Sequence, residues 1–379
     1  MAKTVRDDLA DVIAGGVNKL FKVSDGAYGK VAFVGNTDET PTDLIDFLST
    51  GCAPLDLAIS NRPNGGIPFG RITELTGLEG SGKSLVSAHM MANVQKMGGV
   101  AVLIDTETAV NWEFFKAVGV NTKTLVYANL DTVEDIFAGI ENIIESVRTT
   151  PKNKDKPVII VVDSIAAAST KAEMEADYDK DGWATGKSII ISKALRKITS
   201  TIGKQRIALV ITNQLRQKLG AMPFTDPYTT SGGMALRFHS SVRIRFSVIE
   251  KITKKDKTLK EVVGARIKAL VVKNRCGPPQ RTAEFVIYFD RGIDDYGSWL
   301  DFLRGRELIT GKSNGLSYTS ALTGVEHTFT EAEWPQLLEN NPELKEELYQ
   351  ALCDTYIMLY KTEGMTTAEL SSEPSSGDE

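Results

Sequence analysis

Apolar positions along this chain follow three rhythms. Residues 5 to 22 place Leu9, Val12, Ile13, Val17, Leu20 and Phe21 at helical spacing, which predicts an amphipathic helix. SDGAYG interrupts that period, and KVAFVG then reads as a short strand. Its Val31, Ala32 and Phe33 can pair within the same subunit or with the edge of a neighbour's sheet. After the polar NTDETPTD, apolar runs alternate with helical patterns from Leu48 to about Leu303: ITELT, GVAVLIDTE, TLVYANL, PVIIVVDS, RIALVITNQ, VRIRFSVI, RIKALVVKN and EFVIYFD. Continuous apolar strands separated by helices predict a mostly parallel sheet covered on both faces, and the closer spacing of the later runs predicts an antiparallel extension. EAEWPQLLENNPELKEELYQALCDTYIMLYK follows and is mainly helical. The expectation is an α/β protein divided into 1–47, an amino-terminal helix and strand for assembly, a core at 48–303, a small α+β domain at 304–360 and an acidic disordered tail at 361–379.

Composition narrows the class. A 379-residue chain with a formal net charge of -5 is not a uniformly basic nucleic-acid coat, although a local basic surface is compatible with that sum. Cys52, Cys276 and Cys353 are odd in number and widely spaced, which disfavours structural zinc and a disulfide framework and suits a reducing cytoplasm. No run approaches the length of a membrane span and the first residues lack a signal-peptide core, so the expected protein is soluble and cytoplasmic, with no membrane partner.

Residues 77 to 84 read GLEGSGKS, the GxxxxGK[ST] signature: Gly77, Leu78, Glu79, Gly80, Ser81, Gly82, Lys83 and Ser84. An apolar run precedes it and a helix-period segment follows. That order lets backbone N–H groups and a helix N-terminus converge on phosphate. Lys83 is expected on the β- and γ-phosphates of a nucleoside triphosphate and the Ser84 hydroxyl on Mg²⁺. VIIVVDS ends a buried strand in Asp163, placed to hold the metal or to cap the following segment. AVLIDTET ends in Asp105 and Glu107, either of which can stand by the attacking water; Glu107 is taken as the general base. In NWEFF an aromatic can lie on adenine, though core packing is the better expectation for at least two of Trp112, Phe114 and Phe115. RIALVITNQ ends in Asn213 and Gln214, where an amide can sense the γ-phosphate. The long Gly-, Thr- and Pro-rich segment LRQKLGAMPFTDPYTTSGGMALRF follows directly, and such a segment inside a compact domain is usually functional.

With these motifs in order, the chain resembles the RecA-type homologous recombinases, strand-exchange ATPases that include the UvsX-like phage members. The resemblance runs from LSTGCAPLDLAI through GGIPFGRITELTG and TTSGGMALRF to VVKNRCGPP and DRGIDDYGSWLD, about two thirds of the chain. It implies a P-loop core, ATP and Mg²⁺, a homo-oligomeric helical filament on single-stranded DNA, and pairing with homologous duplex DNA. Single-strand-binding and mediator proteins are further implied partners. Glu107 falls at the family's catalytic glutamate, Gln214 at its γ-phosphate-responsive glutamine, and Lys273 and Arg275 at the basic pair that reaches the neighbour's ATP. Phe114 falls where the family stacks an aromatic on adenine, with Asn111 replacing an acidic residue and Phe replacing Tyr. The implied DNA contacts are Arg196 and Lys193 near the first loop, then Arg216, Lys218, Thr229, Thr230, Ser231, Gly232, Gly233 and Met234 in the second. The first loop, with Trp183, departs strongly in sequence, and together with the altered adenine residues it suggests a phage-encoded member. A ring-forming helicase on the same core and a nucleotide-dependent recombination regulator are the rival readings; VVKNR disfavours the first, and intact Glu107 and Asp163 disfavour the second.

Overall fold

The computed structural model describes residues 8–21, 31–34, 40, 43–44, 46–150, 152, 155–175, 184–203, 205–217, 228–230, 233–256 and 259–360. Helix α1 (Asp8–Leu20) leaves Leu9, Val12, Ile13 and Leu20 exposed. The strand expected at residues 30–35 is not formed in its described part, residues 31–34. There the N–H groups of Val31 and Ala32 both donate to Asn18 Oδ1 at 2.8 Å, and Asn18 Nδ2 donates to the Ala32 carbonyl at 2.9 Å. A ladder needs a second strand; here one amide side chain satisfies the backbone instead.

Strands β1 (Phe47–Leu48) and β2 (Ile67–Pro68) form a small ribbon around α2 (Ala53–Ser60). The core then runs β3 (Ile72–Gly77), α3 (Lys83–Lys96), β4 (Val100–Asp105), α4 (Trp112–Ala117), β5 (Val126–Asn129), α5 (Val133–Thr149), β6 (Val158–Asp163), α6 (Lys171–Glu175), α7 (Ala184–Ile202) and β7 (Ile207–Gln217). It continues through β8 (Tyr228–Thr230), α8 (Gly233–His239), β9 (Val242–Asp256), β10 (Leu259–Asn274), β11 (Thr282–Tyr288), β12 (Gly292–Asp294) and α9 (Asp295–Gly305). The chain closes with β13 (Thr310–Lys312), β14 (Gly315–Thr319), β15 (Glu326–Phe329), α10 (Trp334–Asn340) and α11 (Pro342–Tyr356).

One sheet organises the molecule, in the order β12-β11-β10-β9-β3-β7-β6-β4-β5, with β8 paired to β7 alone. The pairs from β9 to β5 are parallel, and those from β9 to β12 are antiparallel. The apolar rhythm explains this division. β6 reads VIIVVD and is buried along both faces, as a strand between two helical layers must be. β11 alternates exposed and buried positions, as a strand with one wet face does. Leu75, Leu103, Val161 and Val210 pack on one face against α2, α3 and α9. Ile104, Ile160, Leu209 and Ile211 pack on the other against α5, α7 and α8. Truncating one such residue to Ala costs about 2–5 kcal/mol.

The closing segment is the expected small α+β unit: three antiparallel strands, β13-β14-β15, precede α10 and α11. It joins the core through Trp334, which stacks on Phe329 with ring centroids 5.0 Å apart and donates from Nε1 to the Tyr296 carbonyl at 2.7 Å. The tail lies outside the described residues.

Candidate functional site

Parallel register brings the motifs together. Gly77 at the end of β3 pairs with Gln214 of β7, and Asp105 at the end of β4 pairs with Asp163 of β6. Four strands of one sheet therefore deliver polar groups to the same edge, where α/β folds bind ligands.

The glycine turn is shaped by backbone. Gly80 and Gly82 have φ of +68° and +91°, a region that side-chain-bearing residues rarely enter. Lys83, at the head of α3, is nearly buried and donates to the carbonyls of Gly77 at 3.2 Å and Leu78 at 2.9 Å. Burial holds its pKa below the ordinary value, against the opposing pull of Asp163, Glu107 and Glu79. The Ser84 hydroxyl hydrogen-bonds the Asp163 carboxylate, which also accepts from Thr212 Oγ1 at 2.6 Å. Burial raises the Asp163 pKa, and these two hydrogen bonds work against that rise.

Geometry separates the two carboxylates of the DTE strand end. Asp105 is buried and committed to structure: its Oδ1 accepts from the N–H groups of Glu107 and Thr108 at 3.0 and 3.1 Å, and its Oδ2 from the Tyr127 hydroxyl at 3.1 Å. Glu107 is exposed and accepts one hydrogen bond from Ser164 Oγ at 2.6 Å. Ser84, Asp163, Glu107, Asn111 and Phe114 line a common cavity of about 150 Å³. Phe114 is half-buried on its wall, Phe115 is core, and Trp112 is exposed and packs edge-on to Tyr127 at 5.3 Å. Asn111 caps α4, its Oδ1 accepting from the Phe114 N–H at 3.0 Å.

Lys273 and Arg275 are not part of this cluster. Lys273 pairs with Arg243, which pairs with Glu74, three residues before Gly77 on β3. That is about 10 Å back along the strand. Lys273 Nζ donates to the carbonyls of Arg237 and Phe238 at the end of α8, at 2.6 and 3.0 Å. Its pKa falls to about 8, first through burial and then through Arg275 and Arg243. Arg275 lines a separate cleft of about 450 Å³ with Arg71, Thr199 and His239.

The second loop begins as a continuation of β7. Arg216 and Thr229 face each other across the β7–β8 ribbon, and Leu215 faces Thr230. Thr230, expected among the DNA contacts, has a buried side chain, and the adjacent Thr229 is half-exposed. Gly233 and Met234 belong to α8, not to an irregular loop, because Ala235 and Leu236 bury into the core as one helical turn. Met234 is 56% exposed. Lys218, Ser231, Gly232 and Trp183 lie outside the described residues. Arg196 and Lys193 are exposed on α7. Lys187, on the same helix, is tied to the carbonyls of Ala166 and Ala168.

Sequence reading missed Thr212, Ser164 and Thr106, which orient the site carboxylates. Thr106 Oγ1 donates to the Ser164 carbonyl at 2.7 Å and accepts from the Ser164 N–H at 3.0 Å. The available signal was a hydroxyl beside each strand-end acid or amide: DTE, VVDS and TNQ.

Over residues 16–294 the chain matches the RecA N-terminal domain family. It is 37% identical over 308 residues to Protein RecA of Helicobacter pylori, covering 81% of this chain and 84% of that protein. Protein RecA of Campylobacter jejuni is 34% identical over 331 residues, covering 87% and 90%. These relatives are bacterial and lend no support to a phage source.

Proposed function

The chain belongs to the RecA family of homologous recombinases, and we propose that it is a DNA-dependent ATPase that assembles into helical filaments on single-stranded DNA and exchanges homologous strands. The observation that carries this reading is the register of β7. Gln214 lies beside Gly77 of the phosphate turn, and two residues later Arg216 enters the ribbon with Thr229. One rigid strand thereby links a nucleotide's terminal phosphate to a loop suited to a DNA backbone.

The donor set fits a triphosphate: a concave run of N–H groups at Gly77–Ser84, a helix N-terminus and Lys83. When phosphate arrives, Lys83 exchanges two loop carbonyls for the β- and γ-oxygens. Ser84 and Asp163 are the residues that would hold Mg²⁺, which takes few protein ligands and neutralises phosphate charge. Glu107, steadied by Ser164, takes the proton of the water that attacks the γ-phosphorus. Gln214 carries the presence of the γ-phosphate into β7. Phe114 supplies an apolar wall for the base. Lys273 and Arg275 lie too far back along the sheet to reach their own Gly77, so they serve the ATP of an adjoining protomer and make hydrolysis depend on assembly. The exposed apolar face of α1 and strand β5, which pairs only with β4 among the described residues and leaves Val126 and Tyr127 exposed, supply surfaces for that contact. Arg196, Lys193, Arg216 and Thr229, with Lys218, Ser231, Gly232, Gly233 and Met234, are the residues that would bind the phosphates of DNA without reading bases.

The test is joint-molecule formation between homologous single-stranded and duplex DNA. The wild-type protein should form joints with ATP, and Glu107→Gln should lose about 10²-fold or more in hydrolysis while still forming them. A protein that hydrolyses ATP on single-stranded DNA yet never pairs homologous strands would sink the recombinase reading.

A further inference from the structure

Between the two halves of the proposed site lies a buried charge that neither half uses. Glu74 is in the middle of β3 and has no exposed surface. Its Oε1 accepts from Asn213 Nδ2 at 3.0 Å, and its Oε2 accepts from Arg243 Nε at 2.5 Å. Asn213 immediately precedes Gln214, and Arg243 is the cross-strand partner of Lys273. All of these side chains are on the face of the sheet that α8 covers, and Lys273 is in turn fastened to the end of α8. The two anchors of the second loop, β7 and α8, are thus joined through a chain of four side chains across three neighbouring strands and β10.

We propose that Glu74 is a positioning residue that couples the γ-phosphate-sensing strand to the lysine serving the next protomer's ATP. The inference rests on the reading of Lys273 given above. A carboxylate is required because it must take a neutral amide on one oxygen and a guanidinium on the other, and a shift of β7 on nucleotide binding then pulls on the Arg243–Lys273 pair. Charge makes the coupling readable. Glu74 favours the protonated Lys273, whereas Arg243 and Arg275 disfavour it. His239 and Arg237, at the end of α8 that holds Lys273, Arg196 on α7, and Arg71 in the cleft it shares with Arg275 are further charged or titratable groups around this cluster.

The sign follows directly. Lys273 serves its neighbour as a cation, so DNA-stimulated hydrolysis falls as pH rises through its pKa. Removing the Glu74 charge lowers that pKa and should move the alkaline limb of the pH–rate profile to lower pH by about half a unit or more. Arg243→Gln should move the limb to higher pH, because it removes a neighbouring positive charge that disfavours protonated Lys273. In a Lys273→Arg background neither change should move the limb, since a guanidinium does not titrate in this range.

The experiment measures DNA-stimulated ATP hydrolysis from neutral to alkaline pH for the full-length wild type, Glu74→Gln, Arg243→Gln, Lys273→Arg and the two double variants, with Lys273→Ala as reference. Opposite limb shifts that vanish with Lys273→Arg support the relay. A uniform loss of kcat at every pH means that Glu74 is merely structural and overturns it, as do shifts that persist in Lys273→Arg. If Glu74→Gln fails to fold, the Arg243→Gln pair decides alone. Should Lys273→Ala retain full DNA-stimulated hydrolysis, the reading of Lys273 itself fails; if Lys273→Ala is inactive and no limb moves, only the relay does.

Discussion

At the carboxyl end of β3 the polar groups are fixed by backbone, whereas toward its amino end they are fixed by one another. Gly77, Asp163 and Gln214 end or lie near the ends of strands whose register is set by continuous apolar faces, and Glu107 follows two residues after Asp105. Shifting that register would turn buried side chains toward the wrong layer, so the site edge inherits the rigidity of the core. Lys273, Arg243, Glu74 and Asn213 come from four strands; Glu74 binds Asn213 and Arg243 through side chains, and Lys273, the ladder partner of Arg243, is tied to the end of α8. The first arrangement is suited to holding a nucleotide in one geometry. The second can change state when a charge arrives from outside, which is what a group that serves another protomer has to do.

The strongest challenge to this division is to mix two inactive proteins. Lys83→Ala removes the phosphate lysine and Lys273→Ala the cation offered to the neighbour, and each alone should lose about 10²-fold or more in DNA-stimulated hydrolysis. In a one-to-one mixture, head-to-tail assembly creates about one junction in four with both halves intact, and activity should return to that extent. If Lys273 acts within its own subunit, the mixture stays inactive, and the contrast between the two ends of β3 collapses.

A smaller effect tests whether β7 carries the contrast outward. Arg216→Ala, at the base of the ribbon, should weaken single-stranded DNA binding about equally for all sequences and reduce the salt slope by about one. Fluorescence anisotropy over a salt series reads both quantities. A change that depends on base sequence would mean that the ribbon reads base edges and is no phosphate clamp.

The same contrast explains what was legible before the structure. Strand ends are visible in sequence because apolar runs stop where loops begin, so GLEGSGKS, DTE, VVDS and TNQ could be assigned to one edge of an α/β sheet. The Glu74 network was not legible, since nothing in linear order says that Asn213 and Arg243 meet the same carboxylate. Its one trace was a glutamate in the middle of the apolar run ITELT. Residues 31–34 have the β-propensity of a strand, but a ladder forms only where a second strand is present, and in the single protomer Asn18 takes the N–H groups of Val31 and Ala32. The helix at Gly233–His239 was hidden because its two buried residues, Ala235 and Leu236, are too few to show a period.

The smallest effect concerns the wall of the cavity. Asn111 faces the same space as Phe114, yet its Oδ1 is occupied as the cap of the six-residue α4. A direct ligand and a helix cap respond differently to substitution. If capping is its contribution, Asn111→Ala costs about 1 kcal/mol of local helix stability and raises KM for ATP several-fold by loosening Phe114, with kcat nearly unchanged. Asn111→Asp preserves the acceptor and the cap, so its KM should stay near the wild-type value. A matching loss in both variants would show that the amide N–H₂ touches the nucleotide, and would add a side-chain contact from beyond the strand ends to a half-site otherwise set by backbone register.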